Sequence, residues 1–532
     1  MTLTKAAPWN PRRDFPSPAD MGAPGHMTTW RASQQDAFMW ASDLLARPAP
    51  RHIAMGLATG VGKSTVAYLL AHYASQGRTV ILTSRLGLCD QYKQTFPDIA
   101  EVRGRRHYGS YESYRGAIET AQKSQVVVTT YAFWLATAGR GTGIPSLLIC
   151  DEASEEFSEL GNFMEVVLLR DDLTRLRFEV TRGWQQTLSL SWPDSPDRLE
   201  TWAVWARHAV PEIERIRKVM REERHPDSWS RAEEETDEAL MLMFSKLTLF
   251  LSDRAKSPPG EWVLEVLPVP YGGTHSPGVK VSCVWPATSA NALLYLGVPR
   301  VVHMSATLRP KTMDLMGVPR DQYAFREWPH PFPAANRRVL WVPTIRAVEA
   351  QATADDWRTW VTRIDQVIEA AHRSAGATKG IVHTVSYRRA QMFMDESRNR
   401  DIDLFMAHGR ENTASLVAQF RAEDPPKVLV SPVIISGWDI PEALYQVIGK
   451  LPFSPTSPLS LARRAVDPEL DFYDVAQQVC QMSGRIVRGP GHAERGTTLI
   501  IDDSWSWFGW KYRNFFPGWF AVGKSEYVPQ EF

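Results

Sequence analysis

A glycine-rich turn between an apolar segment and a helical pattern constrains this chain more than any other feature. Residues 55–65 read Met-Gly-Leu-Ala-Thr-Gly-Val-Gly-Lys-Ser-Thr, between an apolar run that starts at His52 and a helical pattern over residues 66–74. A strand, a loop and a helix in this order direct backbone N–H groups and a helix N-terminus at one point, which suits a polyphosphate. Gly60 and Gly62 allow the backbone to close around phosphates without a Cβ in the way.

The side chains of this loop predict how a nucleotide and its metal ion would be held. Lys63 is expected to reach the β and γ phosphate oxygens, and the Ser64 hydroxyl to take one Mg²⁺ position. The residues expected at the nucleotide are Thr59, Gly60, Val61, Gly62, Lys63, Ser64 and Thr65. The strict phosphate-loop pattern has glycine where this chain has Leu57. The loop alone is therefore also compatible with a glycine-rich helix N-terminus that binds no ligand.

A second motif supplies the carboxylates that such a loop needs. Residues 146–150 lead as a mostly apolar run into Asp151 and Glu152, which is typical of a buried strand whose tip carries two acids. Asp151 is expected to hold Mg²⁺ through water, and Glu152 to polarise the attacking water. An acidic helix cap is the alternative, and the upstream phosphate loop disfavours it. Together the two motifs predict that the nucleotide is hydrolysed.

Composition narrows the class of protein. At 532 residues, with 44% hydrophobic and 23% charged residues, the chain is too long for one core and ordinary for a globular protein. Sixty basic residues balance sixty acidic ones, so a nucleic-acid contact must come from a local groove. The four cysteines are far apart in sequence, which excludes a disulfide framework and fits a reducing compartment. Because no membrane span or signal peptide is visible, we expect a cytoplasmic protein.

Two further predicted strands of the same sheet, over residues 78–84 and 125–130, each end in a pair of hydroxyl residues. The pairs are Thr83 with Ser84 and Thr129 with Thr130. Carboxyl ends of parallel strands face the ligand crevice of an α/β sheet, so these hydroxyls are expected to hold phosphates of a nucleic-acid strand. The alternative is that each pair is a strand end with a helix cap.

A helical pattern that begins near Trp30 lies just before the phosphate loop. Its Gln34 has the donor and the acceptor needed to hydrogen-bond both edges of an adenine. An N-terminal helix with a polar face explains the same pattern.

The order and spacing of further segments resemble a known family. Residues 58–64 and 151–154 look like motifs I and II of superfamily 2 helicases, and later segments look like the XPD/DinG branch. Those later segments are Ser305-Ala-Thr-Leu308, His330-Pro-Phe-Pro333, Ser436-Gly-Trp-Asp439-Ile-Pro441, Gly449-Lys-Leu-Pro-Phe453 and Gln481-Met-Ser-Gly-Arg485-Ile-Val-Arg488. Together they span nearly the whole chain.

This resemblance implies an α/β fold of two tandem RecA-like domains, each a parallel sheet flanked by helices, with a helical insertion in the first domain. The expected boundaries are a flexible tail over 1–27, a first domain over 28–155 and 257–325, an arch-like insertion over 156–256 and a second domain over 326–532. The implied activity is ATP- and Mg²⁺-dependent movement along single-stranded DNA, usually 5′ to 3′, with unwinding of forked duplexes.

The resemblance also assigns roles outside the phosphate loop. Arg485 and Arg488 would reach across the cleft to the transferring phosphoryl group, beside Gln481. Ser305 and Thr307 would couple the opening and closing of the nucleotide cleft to the groove that binds DNA.

Other roles are less definite. Asp439 would hold either a ribose hydroxyl or a cleft arginine, and the sequence does not decide between them. The residues expected to contact DNA are Thr83, Ser84, Arg85, Arg105, Thr129, Thr130, Ser386, Tyr387 and Ser431.

One segment departs from the family pattern. Residues 102–108 resemble the approach to the family's iron–sulfur module, but Ser110 stands where the first cluster cysteine would follow. A cubane cluster needs four thiolates, and the segment up to residue 124 contains no cysteine. We therefore expect no iron–sulfur cluster and only a remnant of the module over about 102–124. Its basic residues, Arg103, Arg105, Arg106 and His107, could still line the DNA entrance.

Alternatives remain for the activity and for two regions. A translocase that does not separate strands is one alternative, and an accessory subunit of a CRISPR effector or a phage replication assembly is another. The tryptophan-rich segment over 503–519 could stack bases or bind a partner, and we favour a role in the second core. The charges of the insertion favour a solvated face over a DNA contact. We expect a monomer.

Overall fold

The computed structural model describes residues 15–532 with gaps at 76, 225–227, 257–259, 268–276, 349–350, 400–402, 407–412, 433–439, 441 and 487–495. Asp439 and Arg488 therefore lie outside the described residues. None of the helices within the described ranges is long and apolar enough to cross a membrane.

Strands and helices alternate along most of the described chain. The strands are β1 (His52–Leu57), β2 (Thr79–Thr83), β3 (Ala100–Glu101), β4 (Val126–Thr130), β5 (Leu147–Asp151), β6 (Val166–Leu169), β7 (Trp262–Leu267), β8 (Gly278–Cys283), β9 (Arg300–Ser305), β10 (Tyr323–Trp328), β11 (Arg337–Ile345), β12 (Lys379–His383), β13 (Asp403–Met406), β14 (Lys427–Ser431), β15 (Ala443–Ile448), β16 (Gly496–Asp502) and β17 (Gly523–Lys524). The α-helices are α1 (Gln34–Leu45), α2 (Lys63–Leu69), α3 (Leu86–Thr95), α4 (Tyr111–Lys123), α5 (Tyr131–Thr137), α6 (Glu156–Met164), α7 (Arg170–Trp184), α8 (Leu199–Glu223), α9 (Arg231–Arg254), α10 (Ala290–Leu293), α11 (Pro310–Leu315), α12 (Ala354–Ala375), α13 (Tyr387–Glu396), α14 (Thr413–Ala422), α15 (Pro458–Val466), α16 (Leu470–Ser483) and α17 (Trp505–Lys511).

Two parallel sheets organise the fold. The first has the strand order β10-β1-β9-β5-β2-β4-β3, and the second has the order β13-β14-β12-β15-β16-β11-β17. Strands β1, β2 and β5 are buried at every position, as expected for parallel strands covered on both faces. The predicted α/β fold with two RecA-like sheets is confirmed.

The insertion is not purely helical. Helices α7, α8 and α9 accompany an antiparallel sheet of order β6-β8-β7. Strands β7 and β8 belong to this small sheet, although the expected boundaries assign residues 257–325 to the first domain. The first sheet resumes only at β9, where Val301 pairs with Leu148 of β5.

Residues 15–27, expected to belong to a loose tail, pack against the phosphate-loop helix. Met21 and Ala23 are buried in the first core. The Tyr68 hydroxyl of α2 donates a hydrogen bond of 3.0 Å to the Gly22 carbonyl. Apolar contacts and this bond order a segment whose composition alone favours a flexible tail.

One hydrophobic core joins the first sheet to α16, α17 and the C-terminal aromatic residues. Trp505, Phe508 and Phe516 are buried in it, which agrees with a core role for the tryptophan-rich segment. Trp510 is an exception, with 73% of its surface exposed. The two halves of the molecule therefore meet along α16, at a surface called the seam below.

Candidate nucleotide site and nucleic-acid groove

The glycine-rich turn has the backbone that its sequence requires. Gly60 and Gly62 have φ angles of 84° and 89°, in the left-handed region that disfavours side chains. A Cβ on Gly62 would lie 2.5 Å from Gln34 Nε2, so this position has no room for one. Helix α2 begins at Lys63, the next residue.

Arg31 and Gln34, which precede α2 in the chain, donate hydrogen bonds to carbonyls of this turn. Arg31 Nη1 donates to the Gly60 carbonyl over 3.2 Å, and Gln34 Nε2 donates to the Gly62 carbonyl over 3.3 Å. Gln34 Oε1 accepts from the Arg31 backbone N–H over 3.1 Å. The amide expected to bind adenine is thus bonded to the phosphate loop and to its own helix terminus. Its adenine contact stays a prediction, and Arg31 is a loop contact that no sequence motif indicated.

The two carboxylates at the end of β5 lie beside the loop. Lys63 Nζ is 3.3 Å from Glu152 Oε1. Asp151 Oδ2 accepts from the Tyr92 hydroxyl over 2.9 Å, and Asp151 Oδ1 accepts from the Glu152 N–H over 3.0 Å. Burial and the neighbouring Glu152 charge raise the pKa of Asp151 to about 6, and Lys63 opposes that rise.

Glu152 adopts a strained backbone at the tip of β5. Its φ angle is 53°, in a region that costs a non-glycine residue about 1–3 kcal/mol. The Ser305 hydroxyl donates to Glu152 Oε2 over 3.1 Å and lies 2.9 Å from the Ser154 hydroxyl. Gln481 Nε2, from the second half, donates to Ser154 Oγ over 3.5 Å. Thr307 Oγ1 lies 3.4 Å from Ser305 Oγ.

Other residues of the second half also lie near the phosphate loop and the end of β5. Arg485 is buried, and its charge and that of Arg85 oppose the rise in the pKa of Glu155 that burial and Glu152 cause. Gly484 packs against Thr59, whose hydroxyl lies 3.1 Å from His330 Nε2. The structure thus brings together the predicted groups of the phosphate loop, β5, β9 and α16.

The donor set of this place fits ATP with Mg²⁺. Ser64 is the second residue of α2, beside Lys63, and Val61 is fully buried under the loop. Asp151, which would supply a buried oxygen ligand, accepts a hydrogen bond from the Tyr92 hydroxyl. The Thr65 hydroxyl lies 3.7 Å from Met27 Sδ, and its nucleotide contact stays a prediction.

Three of the residues predicted to contact nucleic acid have buried side chains in this structure. Thr83 Oγ1 donates to the Arg85 carbonyl over 3.1 Å, and Thr129 Oγ1 donates to the Val102 carbonyl over 2.7 Å. Ser431 is 1% exposed. Successive side chains of a strand point to opposite faces, so only one residue of each hydroxyl pair can face the crevice.

The other members of those pairs are partly exposed, at the ends of β2 and β4. Ser84 hydrogen-bonds the Glu155 carboxylate. Thr130 Oγ1 accepts from the Phe133 N–H over 3.2 Å, which is the helix-cap alternative. Tyr387 is 44% exposed, and Ser386 is partly exposed at the start of α13.

Two of the four basic residues expected near the DNA entrance pair with carboxylates. Arg105 Nη2 lies 2.5 Å from Glu234 Oε2 of α9. Arg103 pairs with Glu101 over 2.6 Å and also with Asp90. Arg105 therefore joins the segment before α4 to the insertion.

A buried polar network lies beneath β5. His303 Nδ1 is 2.7 Å from Glu156 Oε1, and His52 Nδ1 is 2.9 Å from His303 Nε2. The Tyr295 hydroxyl donates to Glu156 Oε2 over 2.9 Å, and Cys150 hydrogen-bonds the same carboxylate. These hydrogen bonds join β1, β5 and β9. His303 is fully buried, and both of its ring nitrogens have partners within this network.

Comparisons with known proteins agree with this architecture. Residues 27–171 match the family model of the res subunit of type III restriction enzymes. The whole fold is similar to an XPD helicase (TM-score 0.60, 12% identity, 92% of this chain and 99% of that one) and to an apo XPD (TM-score 0.58, 11% identity, 92% and 99%). It is also similar to Xpd4 of S. tokodaii (TM-score 0.57, 11% identity, 93% and 99%). A search of curated proteins gave no match.

These similarities concern the fold, since the identities are low. The chain has a two-sheet fold similar to that of the XPD structures, and its phosphate loop and the carboxylates Asp151 and Glu152 lie at the carboxyl ends of β1 and β5.

Proposed function

We propose that this protein is an ATP-dependent DNA helicase that moves 5′ to 3′ along single-stranded DNA and opens forked duplexes. One observation carries the proposal. A chain of contacts runs from Lys63 through Glu152, Ser305 and Ser154 to Gln481, so the hydrolytic carboxylate is connected to the second half of the molecule.

The chemistry of hydrolysis follows from the groups at the loop. Glu152 is the general base, because it is the partly exposed carboxylate beside Lys63, and Asp151 is buried. Lys63 neutralises phosphate charge in the ground state. Ser64 and Asp151 would hold Mg²⁺, which supplies charge neutralisation at the phosphates when bound.

Coupling to movement follows from the seam. Arg485 is 3% exposed and acts on Glu155, three residues after Glu152. A guanidinium that reaches the phosphoryl group only when the two halves close makes hydrolysis depend on closure. Arg488 and Asp439 remain proposals of the same kind, and so do a cytoplasmic location, a monomeric state and the missing iron–sulfur cluster.

DNA is proposed over RNA because the branch-specific motifs cover nearly the whole chain. Ser84, Arg85, Thr130, Ser386 and Tyr387 are the proposed strand contacts. They lie at the carboxyl ends of β2, β4 and β12, where a strand could cross both sheets.

A translocase without strand separation is the second candidate, and one observation favours it. Arg103 and Arg105, expected at the entrance, are paired with carboxylates instead of facing solvent as free cations. Recruitment to a CRISPR effector or a phage nucleoprotein complex stays a prediction from the sequence.

Purified protein decides between the candidates. ATP turnover is measured without nucleic acid, with single-stranded DNA and with single-stranded RNA. Unwinding is measured on forks with a 5′ or a 3′ tail, with Lys63→Ala as the inactive control. We expect stimulation by DNA and opening of the 5′-tailed fork. Stimulated turnover without unwinding supports the translocase, and no turnover with either nucleic acid contradicts both.

A further inference from the structure

Helix α16 presents a row of polar side chains to the first half. The Tyr473 hydroxyl lies 2.6 Å from Thr312 Oγ1, and Gln481 Nε2 lies 3.5 Å from Ser154 Oγ. Residues four apart on a helix share a face, so Gln477, midway between these two contacts, faces the same surface.

The side-chain amide of Gln477 is buried and makes no hydrogen bond with the described residues. Its side chain is 6% exposed, and neither Nε2 nor Oε1 has a hydrogen-bond partner among the described residues. A buried amide without partners is destabilising, so an amide kept at a functional seam calls for a partner in another state.

Arg309, the residue that follows Ser305-Ala-Thr-Leu308, is the N-cap residue of α11, and Thr312 of that helix contacts Tyr473, one helical turn before Gln477. Burial raises the pKa of Tyr473 and of Cys480, and the Arg309 charge opposes that rise at both. The contact between Thr312 and Tyr473, together with these charge effects, places Arg309 near the part of α16 that carries Gln477.

Arg309 also has an unused donor. Its Nη1 pairs with Glu327, whose other oxygen accepts from the Gly518 N–H over 2.6 Å. Arg309 Nε is buried and has no partner within the described chain. The seam thus has a buried donor on the first half and a buried acceptor on α16, and neither has a hydrogen-bond partner among the described residues.

We propose that Gln477 Oε1 accepts a hydrogen bond from Arg309 Nε when the two halves close on nucleotide and DNA, and that both act as positioning residues for hydrolysis. The inference rests on the proposed function and adds a contact outside its motifs. Arg309 lies four residues after Ser305, whose hydroxyl donates a hydrogen bond to the Glu152 carboxylate. Formation of the pair would therefore fix the segment that orients the general base.

The test uses Gln477→Leu, Arg309→Lys and the double variant. Leucine removes the acceptor at similar size. Lysine keeps a charge for Glu327 but lacks the Nε donor. Gln35→Leu is the matched control, because Gln35 is also a buried glutamine on a helix whose amide atoms have no partner among the described residues.

Each variant is measured in two ways. The first is DNA-stimulated turnover as a function of ATP concentration. The second is the rise in Tm on adding AMP-PNP, Mg²⁺ and an oligonucleotide, which needs closure but not hydrolysis. We expect Gln477→Leu to melt no lower than wild type without nucleotide. Its stimulated kcat should fall roughly tenfold or more, the size of one hydrogen bond to a charged group, with KM nearly unchanged. Its ligand-induced rise in Tm should be smaller.

The double variant should be no worse than the poorer single variant, because one bond is lost only once. Gln35→Leu should keep wild-type kcat and the full rise in Tm. The inference is overturned if Gln477→Leu keeps both the stimulated kcat and the rise in Tm, or if the two substitutions are additive. Absence of turnover in wild type would contradict the proposed function instead, and the Tm measurement would still test the pair.

Discussion

The Ser305 hydroxyl donates a hydrogen bond of 3.1 Å to Glu152 Oε2, so the end of β9 holds the carboxylate at the end of β5. The two strands are neighbours in the first sheet, with Asp151 paired to Met304. A carboxylate bonded to a serine and to Lys63 is held in one orientation, which a general base requires.

This arrangement predicts the behaviour of Glu152→Gln. The amide keeps the size of the side chain but cannot take a proton from water, so ATP hydrolysis should be abolished. ATP binding should survive, because Lys63, the loop amides and Asp151 remain. Nucleotide affinity and turnover on one preparation check this. Substantial turnover by Glu152→Gln would show that another group is the base, and Lys63→Ala, which should lose both properties, is the comparison.

Tyr92→Phe tests the hydrogen bond that orients Asp151, the proposed Mg²⁺ ligand. The Tyr92 hydroxyl donates to Asp151 Oδ2 over 2.9 Å, and partners of this kind are typically worth about 10–100-fold in metal affinity. We expect the Mg²⁺ concentration for half-maximal turnover to rise roughly tenfold. ATP turnover titrated with Mg²⁺ measures it. An unchanged Mg²⁺ requirement, with normal folding by circular dichroism, would contradict the role of Asp151.

Much of this site could be predicted from the sequence, because its motifs lie on continuous apolar strands. The runs before Ser84, Thr130 and Glu152 predict β2, β4 and β5 to within a residue or two at each end. Buried parallel strands are continuous apolar segments, so their polar ends stand out.

The supporting residues could not be predicted, because their partners are far away along the chain. Tyr92 contacts Asp151 59 residues later, and His330 contacts Thr59 from 271 residues away. Tyr92 belongs to no sequence motif, and the motif that contains His330 does not indicate a contact with Thr59. Thr83 and Thr129 are buried because successive side chains of a strand point to opposite faces, and a pair of adjacent hydroxyls does not show which of the two is accessible.

The iron–sulfur prediction concerns metal content. All four cysteines are buried, and burial raises the pKa of each thiol, which disfavours the thiolate that iron requires. We expect purified protein to be colourless and to keep its turnover after treatment with iron chelators. Iron analysis and the visible absorption spectrum check this. An iron-to-protein ratio near four would refute the interpretation of Ser110.

Arg485→Ala tests the dependence on closure. The guanidinium is expected to stabilise charge on the phosphoryl group mainly in the transition state, so ATP affinity should change only a few-fold. Hydrolysis should fall by roughly 10³ or more, the scale of an arginine finger. Arg485→Lys should rescue poorly, because a point charge lacks the planar fork.

Arg485 is buried, so Tm is measured on the same preparations. A purely structural role would lower Tm and reduce turnover only in proportion to unfolding. A stable variant that binds ATP and hydrolyses it at the wild-type rate would contradict the role across the seam.

His383 predicts a dependence of stability on pH. This side chain is fully buried at the end of β12, and burial lowers its pKa to about 4 despite the hydrogen bond with Gln446. In the unfolded chain a histidine titrates near about 6.5, so between these values the unfolded state binds a proton that the folded state does not. Lowering the pH from 7 to 5 should therefore cost about 2 kcal/mol of unfolding free energy through this residue. His383→Asn removes the titrating group, and His52 and His330 contribute equally to both proteins. Urea unfolding at the two pH values should show a smaller loss for the variant, and equal losses would contradict a buried, neutral His383.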